Sequence, residues 1–221
     1  MTHGRYVHGD RMNCGDDGNA QCPPLTVTEA QTHFGAWAIV SSPLTLGFNL
    51  TDMAVMGAHL PTIANRDALA VNQDYAGFSG SRFEQTAEDL VEFNACGWSH
   101  SYLNRTNASC AWPRTMSLYK PLSGRDVRAS IMAVLLMNNG DAPSDLSFEW
   151  AAIPGLERVN SVAEAGCVVY DVWRSRSVGR VAGPRFACAG VASRGSCFVT
   201  LSQCGRDREV TRGAPSMGAA T

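Results

Sequence analysis

The chain has 221 residues, and its apolar fraction of 45% is typical of a folded chain with a buried core rather than a disordered one. A net charge of −2 offers no basic patch, so nothing in the composition points to nucleic acid as a partner. The longest apolar run, residues 131–137, is far shorter than the ~20 residues of a membrane-spanning helix, and no hydrophobic leader opens the chain.

Cysteines and glycosylation sequons nevertheless suggest an oxidising compartment. The eight cysteines contain no C-x-x-C pair, which disfavours a zinc or thioredoxin-like site, and sequons begin at Asn49, Asn104 and Asn107. We expect disulfides, with eight reduced thiols in a cytosolic chain as the alternative. Cys14 and Cys22 are spaced for a local disulfide; a calcium loop there would need further carboxylates that are missing.

The sequence pattern of residues 1–80 predicts helices that alternate with strands. Residues 1–27 are expected to be irregular, and Thr28 with Gln31 fits a capping box that opens a helix over 29–42, which Pro43 ends. Residues 44–48 are predicted to be a strand.

The same alternation continues to Asp74. Pro61 fits the first turn of a short helix over 62–64 with Asn65 as C-cap, and residues 68–74 predict a second buried strand. This order is typical of an α/β fold with parallel strands.

Beyond residue 80 the pattern becomes that of short strands separated by Gly, Pro and Asn turns. Such a pattern predicts an antiparallel β-sandwich over 81–205, followed by a disordered tail over 206–221. The run 131–137 is apolar throughout and predicts a central strand buried on both faces. Further strands are expected near 115–122, 147–150, 168–173 and 197–201.

Several segments resemble the α-galactosidases of glycoside hydrolase family 27. Residues 32–44 and the run Ala-Val-Asn-Gln-Asp at 70–74 are similar to the end of that family's catalytic barrel, and residues 118–124, 132–138 and 170–173 to its C-terminal β-sandwich. The resemblance implies an α/β part at 1–80, made of the last two β/α units of a TIM-type (β/α)8 barrel, followed by an all-β antiparallel sandwich at 81–205. Residues 93–111 depart from the family pattern and are expected to form an inserted loop.

The resemblance also implies an activity. Family members remove terminal α-linked galactose with retention of configuration, through two carboxyl groups and without a cofactor or metal. Both catalytic motifs would precede residue 1, so we expect a truncated chain that lacks both catalytic aspartates and is inactive alone. The implied partner is an α-galactoside oligosaccharide or glycoconjugate, and the full-length protein would be secreted or lysosomal/vacuolar.

One substrate contact is expected within the chain. Asp10, in Gly9-Asp10-Arg11-Met12, resembles the aspartate of a family loop that binds a substrate hydroxyl, although the neighbouring residues depart from the motif. Asp52, Asp67 and Asp74 are the other carboxylates of the barrel part, and solvated or capping roles are expected for all three.

Aromatic residues offer further candidates. Trp37 and Trp98 could stack on sugar, but Trp37 lies on a helical stripe and is expected in the core, and His33 is expected to be packed and hydrogen-bonded. If the barrel is incomplete, the apolar side chains that would face its missing part should be under-buried, namely Phe34, Trp37, Ile39, Leu44, Leu46 and Val71.

Two other interpretations of the sequence stay open. The chain could be a non-catalytic, secreted carbohydrate-binding or accessory β-sandwich protein, which sugar binding by residues 81–205 would indicate. It could also be no functional unit at all.

Overall fold

The computed structural model describes residues 5–6, 25–46, 50–87, 89–93, 110–125, 129–157, 159 and 161–205. Its helices are α1 (Val27–Ile39), α2 (Met53–Ile63), α3 (Arg66–Gln73) and α4 (Val162–Ala165), with a 3₁₀ turn at Trp150–Ala152. Its strands are β1 (Arg5–Tyr6), β2 (Thr45–Leu46), β3 (Ser81–Gln85), β4 (Leu90–Phe93), β5 (Cys110–Pro113), β6 (Thr115–Pro121), β7 (Met132–Asn138), β8 (Ser144–Glu149), β9 (Cys167–Asp171), β10 (Arg176–Val181), β11 (Arg185–Val191) and β12 (Ser196–Ser202).

A six-stranded antiparallel sheet forms the centre of the fold, in the order β10-β9-β12-β7-β6-β3. The apolar strand β7 lies inside this sheet, where Val134 and Leu135 are fully buried on opposite faces. The prediction of a central strand covered on both faces is therefore confirmed, with β7 beginning one residue later than predicted, at Met132, because Ile131 is exposed.

The second sheet pairs β11 with β8 and covers one face of the first. Leu136 and Val169 from the large sheet share a core with Phe148 and Phe186 from the small one. Trp150, fully buried beside them, donates from Nε1 to the carbonyl of Gly183 at 2.7 Å. The described residues are thus mostly antiparallel sheet with few helices, as the sandwich prediction requires.

Helices α1 and α3 cover the opposite face of the large sheet. Phe34 and Ile39 of α1 and Val71 of α3 pack with Leu135 and Phe198 of the sheet. The two cores lie on either side of β7, so the helical segment and the sheet are stabilised together.

The start of α1 corrects the predicted capping box. Thr26, not Thr28, is the N-cap: its hydroxyl accepts from the Glu29 N–H at 3.2 Å, and its own N–H donates to the Glu29 carboxylate at 2.8 Å. Thr28 lies inside the first turn of the helix. The predicted end of the helix was also late, since α1 stops at Ile39.

The predicted strand at 68–74 is wrong, because these residues belong to helix α3 and its C-cap. Asn65 is the N-cap of that helix, its side-chain oxygen accepting from the Ala68 N–H at 2.9 Å, and not the C-cap of a preceding one. A four-residue apolar run fits a buried strand and a half-buried helix equally well, and the cap decides for the helix.

Helix α2 is longer than the sequence predicted. It begins after Asp52 and contains Pro61 near its end rather than in its first turn. The predicted strand at 44–48 is confirmed only as β2, which pairs in parallel with β1.

The prediction that six apolar side chains between residues 34 and 71 are under-buried is half wrong. Phe34, Ile39 and Val71 are buried by the sheet, whereas Leu46 is exposed and Trp37 and Leu44 are half-buried. Apolar exposure is instead greatest on α2, where Met53 is 77% exposed.

Two disulfides confirm the expectation of cystine formation. Cys167 bonds to Cys204, and Cys188 of β11 bonds to Cys197 of β12 and so links the two sheets. The predicted Cys14–Cys22 bridge, most of the inserted loop and the tail at 206–221 lie outside the described residues. Over the described ranges, no helix is both long and apolar enough to cross a membrane.

Candidate functional site

The three carboxylates singled out in the helical part each hold a different structural contact. Asp52 caps α2, its Oδ1 accepting from the Ala54 and Val55 N–H groups, both at 3.1 Å. These bonds satisfy donors that every helix leaves unpaired in its first turn. A solvated or capping role was expected for Asp52, and the structure shows capping.

Asp67 and Asp74 lie at the two ends of α3 and tie it to the sandwich. Asp67 accepts from the Tyr170 hydroxyl of β9 at 2.8 Å. Asp74 accepts from the N–H of Ser123 at 3.0 Å and from its hydroxyl at 3.0 Å. Asp74 therefore follows a helix and not the strand predicted over 68–74.

Lys120, the chain's one lysine, is a buried polar centre that sequence reasoning missed. Its Nζ donates to the carbonyls of Val71 and Asn72, in the last turn of α3. Burial lowers the pKa of Lys120 from 10.5 to about 8, against the opposing attraction of Asp74. The sequence did contain a feature that could have indicated this role, since the chain's one lysine lies in a predicted strand of alternating apolar and polar residues.

His33 and Trp37 form a hydrogen-bonded pair on α1. The Trp37 Nε1 donates to His33 Nε2 at 2.6 Å, and burial lowers the pKa of His33. The prediction of a packed, hydrogen-bonded histidine is confirmed. Trp37 is half-buried against the sheet, while Trp98 lies outside the described residues.

The other predicted site residues also lie outside the described residues. These are Asp10, proposed from resemblance to bind substrate, and the sequon residues Asn49, Asn104 and Asn107. Within the described ranges, no three His, Cys, Asp or Glu residues come close enough to hold a metal ion.

A polar cleft runs between β3, at the edge of the large sheet, and β8 of the small one. It has two neighbouring lobes of about 240 and 250 Å³, both lined by Glu84 and Ser147. Asp145 lines the first lobe, and Glu149 and Arg185 line the second. We call this the β3–β8 cleft; the sequence did not predict it.

The carboxylates of the β3–β8 cleft differ from a glycosidase pair in their surroundings. Glu84, Asp145 and Glu149 are all exposed. A general acid needs an environment that favours its protonated form, which solvent does not provide. The cleft is therefore better suited to binding than to cleaving a glycosidic bond.

Comparisons with known proteins by sequence and by structure both find α-galactosidases. Alpha-galactosidase 3 of Arabidopsis thaliana is 28% identical over 177 residues, which is 79% of this chain and 30% of the plant protein. Alpha-galactosidase I of Mortierella vinacea superposes with a TM-score of 0.58 at 20% identity, over 86% of this chain and 38% of the fungal one.

The chain is similar to the family 27 α-galactosidases. The resemblance is to their C-terminal region, as the sequence motifs implied. A family 27 β-L-arabinopyranosidase of Geobacillus stearothermophilus shares the fold too, with a TM-score of 0.57 at 18% identity over 93% of this chain and 34% of that one. No protein-family model matches the chain.

The chain spans about a third of the length of these family 27 relatives. Because the fold is shared by enzymes whose names give two different sugars, it does not by itself specify one.

Proposed function

We propose that this chain supplies the C-terminal part of an α-galactosidase-like hydrolase that removes terminal α-linked galactose with retention of configuration. The observation that carries the proposal is the agreement between the Arabidopsis relative, found by sequence, and the Mortierella enzyme, found by structure. The activity is proposed for the whole enzyme, since the chain spans only 30% of the plant relative.

In this proposal the helical segment is the end of a catalytic barrel. Its support is the order of α1, α2 and α3 along the chain and the parallel pairing of β1 with β2. Parallel pairing needs a crossover connection, which is how β/α barrels are built.

Both catalytic carboxylates are proposed to lie in a part of the enzyme outside these 221 residues. A retaining enzyme holds its two carboxyl groups ~5–5.5 Å apart across the scissile bond. Asp52, Asp67 and Asp74 are instead each bound to a different helix end or strand. The isolated chain is accordingly proposed to be inactive.

The proposed location is secreted or lysosomal/vacuolar. Two disulfides support it, because such bonds persist in oxidising compartments and are rare in the cytosol. The proposed substrate is an α-galactoside oligosaccharide or glycoconjugate.

Turnover of p-nitrophenyl α-galactoside by the purified 221-residue chain tests the placement of the catalytic groups. We expect no rate above the buffer control. Robust turnover that Asp52→Asn or Asp74→Asn abolishes would contradict the proposal, because it would place the reaction on two residues that have structural roles, Asp52 in capping α2 and Asp74 in binding Ser123.

A chimera tests the positive half of the proposal. The 221 residues replace the matching region of Arabidopsis alpha-galactosidase 3, and activity is assayed on raffinose. We expect hydrolysis, while a chimera carrying an unrelated β-sandwich of equal length should be inactive. A chimera that is folded by circular dichroism yet inactive would count against the proposal.

A further inference from the structure

The β3–β8 cleft is shaped by irregularities in both of the strand pairs that flank it. In β3 the register against β6 shifts between Arg82 and Glu84, so Phe83 packs against Phe148 of the core while Glu84 lines the cleft. A β-bulge of this kind redirects side chains and ends regular pairing.

On the other side, β11 shifts register against β8 between Cys188 and Val191. Gly190, inside this irregularity, adopts a φ of +62° and donates its N–H to Asp145 Oδ1 at 2.7 Å. The Cys188–Cys197 disulfide holds the same segment to β12. One oxygen of Asp145 is thereby fixed, and within the described residues its Oδ2 accepts no hydrogen bond.

The chemistry of the lining separates the classes of ligand that it could accept. Three carboxylates against one arginine disfavour an anion. The described residues provide no three-residue metal-binding group, which disfavours a divalent cation. The lining is mostly polar, which disfavours a large apolar molecule.

A neutral ligand rich in hydroxyl groups belongs to none of the three disfavoured classes and fits the polar lining. Carboxylates accept hydrogen bonds, whereas hydroxyls and the amide of Gln85 both donate and accept, so the lining matches the mixed character of sugar hydroxyls. The two lobes together lie within the ~300–1,000 Å³ of small-molecule sites.

We propose that the β3–β8 cleft is a non-catalytic saccharide-binding site, in which Glu84 and Asp145 accept hydrogen bonds from sugar hydroxyls. The site is independent of the proposed hydrolase activity, since it lies between two strands of the sandwich and not in the helical segment. A bound sugar would contact both sheets at once.

Titration of the full chain with melibiose, lactose, maltose and raffinose tests the proposal, read by amide chemical shifts in a ¹H–¹⁵N spectrum. We expect saturable shifts at residues 84–86, 115–117 and 145–147 with at least one of these sugars. The affinity should persist in about 0.5 M sodium chloride, because neutral sugars are not attracted by charge.

Three variants assign the effect to the cleft. Glu84→Gln combined with Asp145→Asn should raise the Kd at least about tenfold, because both acceptors then lose their charge. Ser147→Trp should block the cleft and abolish binding, and it does not depend on the Asp145–Gly190 bond. The matched control is Glu164→Gln, the same change at an exposed carboxylate on α4, which should bind as the wild type does.

The proposal is overturned if none of the sugars shifts the cleft amides, if the shifts map elsewhere, or if Glu164→Gln weakens binding as much as the double variant. Salt-sensitive binding of an arginine-rich peptide without any sugar binding would also overturn it and assign the cleft to peptides. None of these readouts involves turnover, so failure here and failure of the hydrolase proposal are distinguishable.

Discussion

The side-chain nitrogen of Lys120 lies 3.0 Å from the carbonyl oxygen of Asn72, and it also donates to the carbonyl of Val71. These carbonyls end helix α3, where backbone acceptors lack partners within the helix and the dipole favours a cation. Lys120 belongs to β6, so one fully buried amine joins the helical layer to the central sheet.

Lys120 should make the free energy of unfolding depend on alkaline pH. Its pKa is lowered by burial to about 8 in the folded chain, whereas the unfolded chain titrates near 10.5. The unfolded state therefore binds more protons between these values, and the contribution of Lys120 to stability rises with pH across that window. At 1.36 kcal/mol per pKa unit, the whole rise is about 3 kcal/mol.

Lys120→Met isolates this contribution. At pH 7 we expect a modest difference in stability, because relief of a buried charge offsets the loss of two hydrogen bonds. From pH 8 to 10.5, urea unfolding should show the wild type gaining on the variant, since a neutral amine still has hydrogens to donate to both carbonyls. A difference that stays constant, or one that moves in the opposite direction, would contradict the assignment.

Gly80 marks a close approach between the end of α1 and β6. Its N–H donates to Ile39 at 2.9 Å, and a Cβ there would meet the Ile39 carbonyl and lie 2.6 Å from that of Tyr119. Gly80→Ala should lower the free energy of unfolding by about 1–3 kcal/mol, because backbone atoms must move apart.

In α2, a Cβ on Gly57 meets nothing within 4 Å, so Gly57→Ala should raise the free energy of unfolding by about 0.5–1 kcal/mol. Thermal unfolding of both variants checks the opposite signs.

The sequence predicted best those parts of the fold that a long run of apolar or alternating residues indicates. The apolar run at 131–137 indicated a covered central strand, and Phe148, within the strand expected near 147–150, lies in the sandwich core. The resemblance to family 27 added the C-terminal assignment. These sequence patterns can be interpreted without knowing which helices and strands contact one another in the fold.

The start of α1 shows how a local signal can be misplaced by two residues. Thr26–Glu29 and Thr28–Gln31 both satisfy the capping-box pattern, and only the structure chooses between them. Thr26→Ala should destabilise by about 1 kcal/mol, because the Glu29 N–H loses its acceptor. Thr28→Ala, inside the helix, should be neutral or slightly stabilising. Urea unfolding of both variants distinguishes the two possible capping boxes. A larger loss of stability for Thr28→Ala than for Thr26→Ala would place the capping box at Thr28.

The helical assignment at 66–73 and the β3–β8 cleft escaped prediction for different reasons. Residues 68–71 form an apolar run too short to distinguish the two periods, and the deciding cap at Asn65 was assigned to the preceding helix. The cleft depends on two register shifts and on β3 lying opposite β8, which are tertiary properties. Glu84 and Asp145 are 61 positions apart, with no motif to join them.

The two disulfides should stabilise the sandwich unequally. Cys167–Cys204 spans 37 residues and Cys188–Cys197 spans 9, so closing the longer loop removes more entropy from the unfolded chain. Loop-closure entropy gives about 4 kcal/mol for the first and about 2.5 kcal/mol for the second. Paired cysteine-to-alanine variants of each bridge, compared by guanidinium unfolding, should show the larger loss for Cys167→Ala with Cys204→Ala. If Cys188→Ala with Cys197→Ala costs more, the link between the two sheets contributes native-state stability beyond chain entropy.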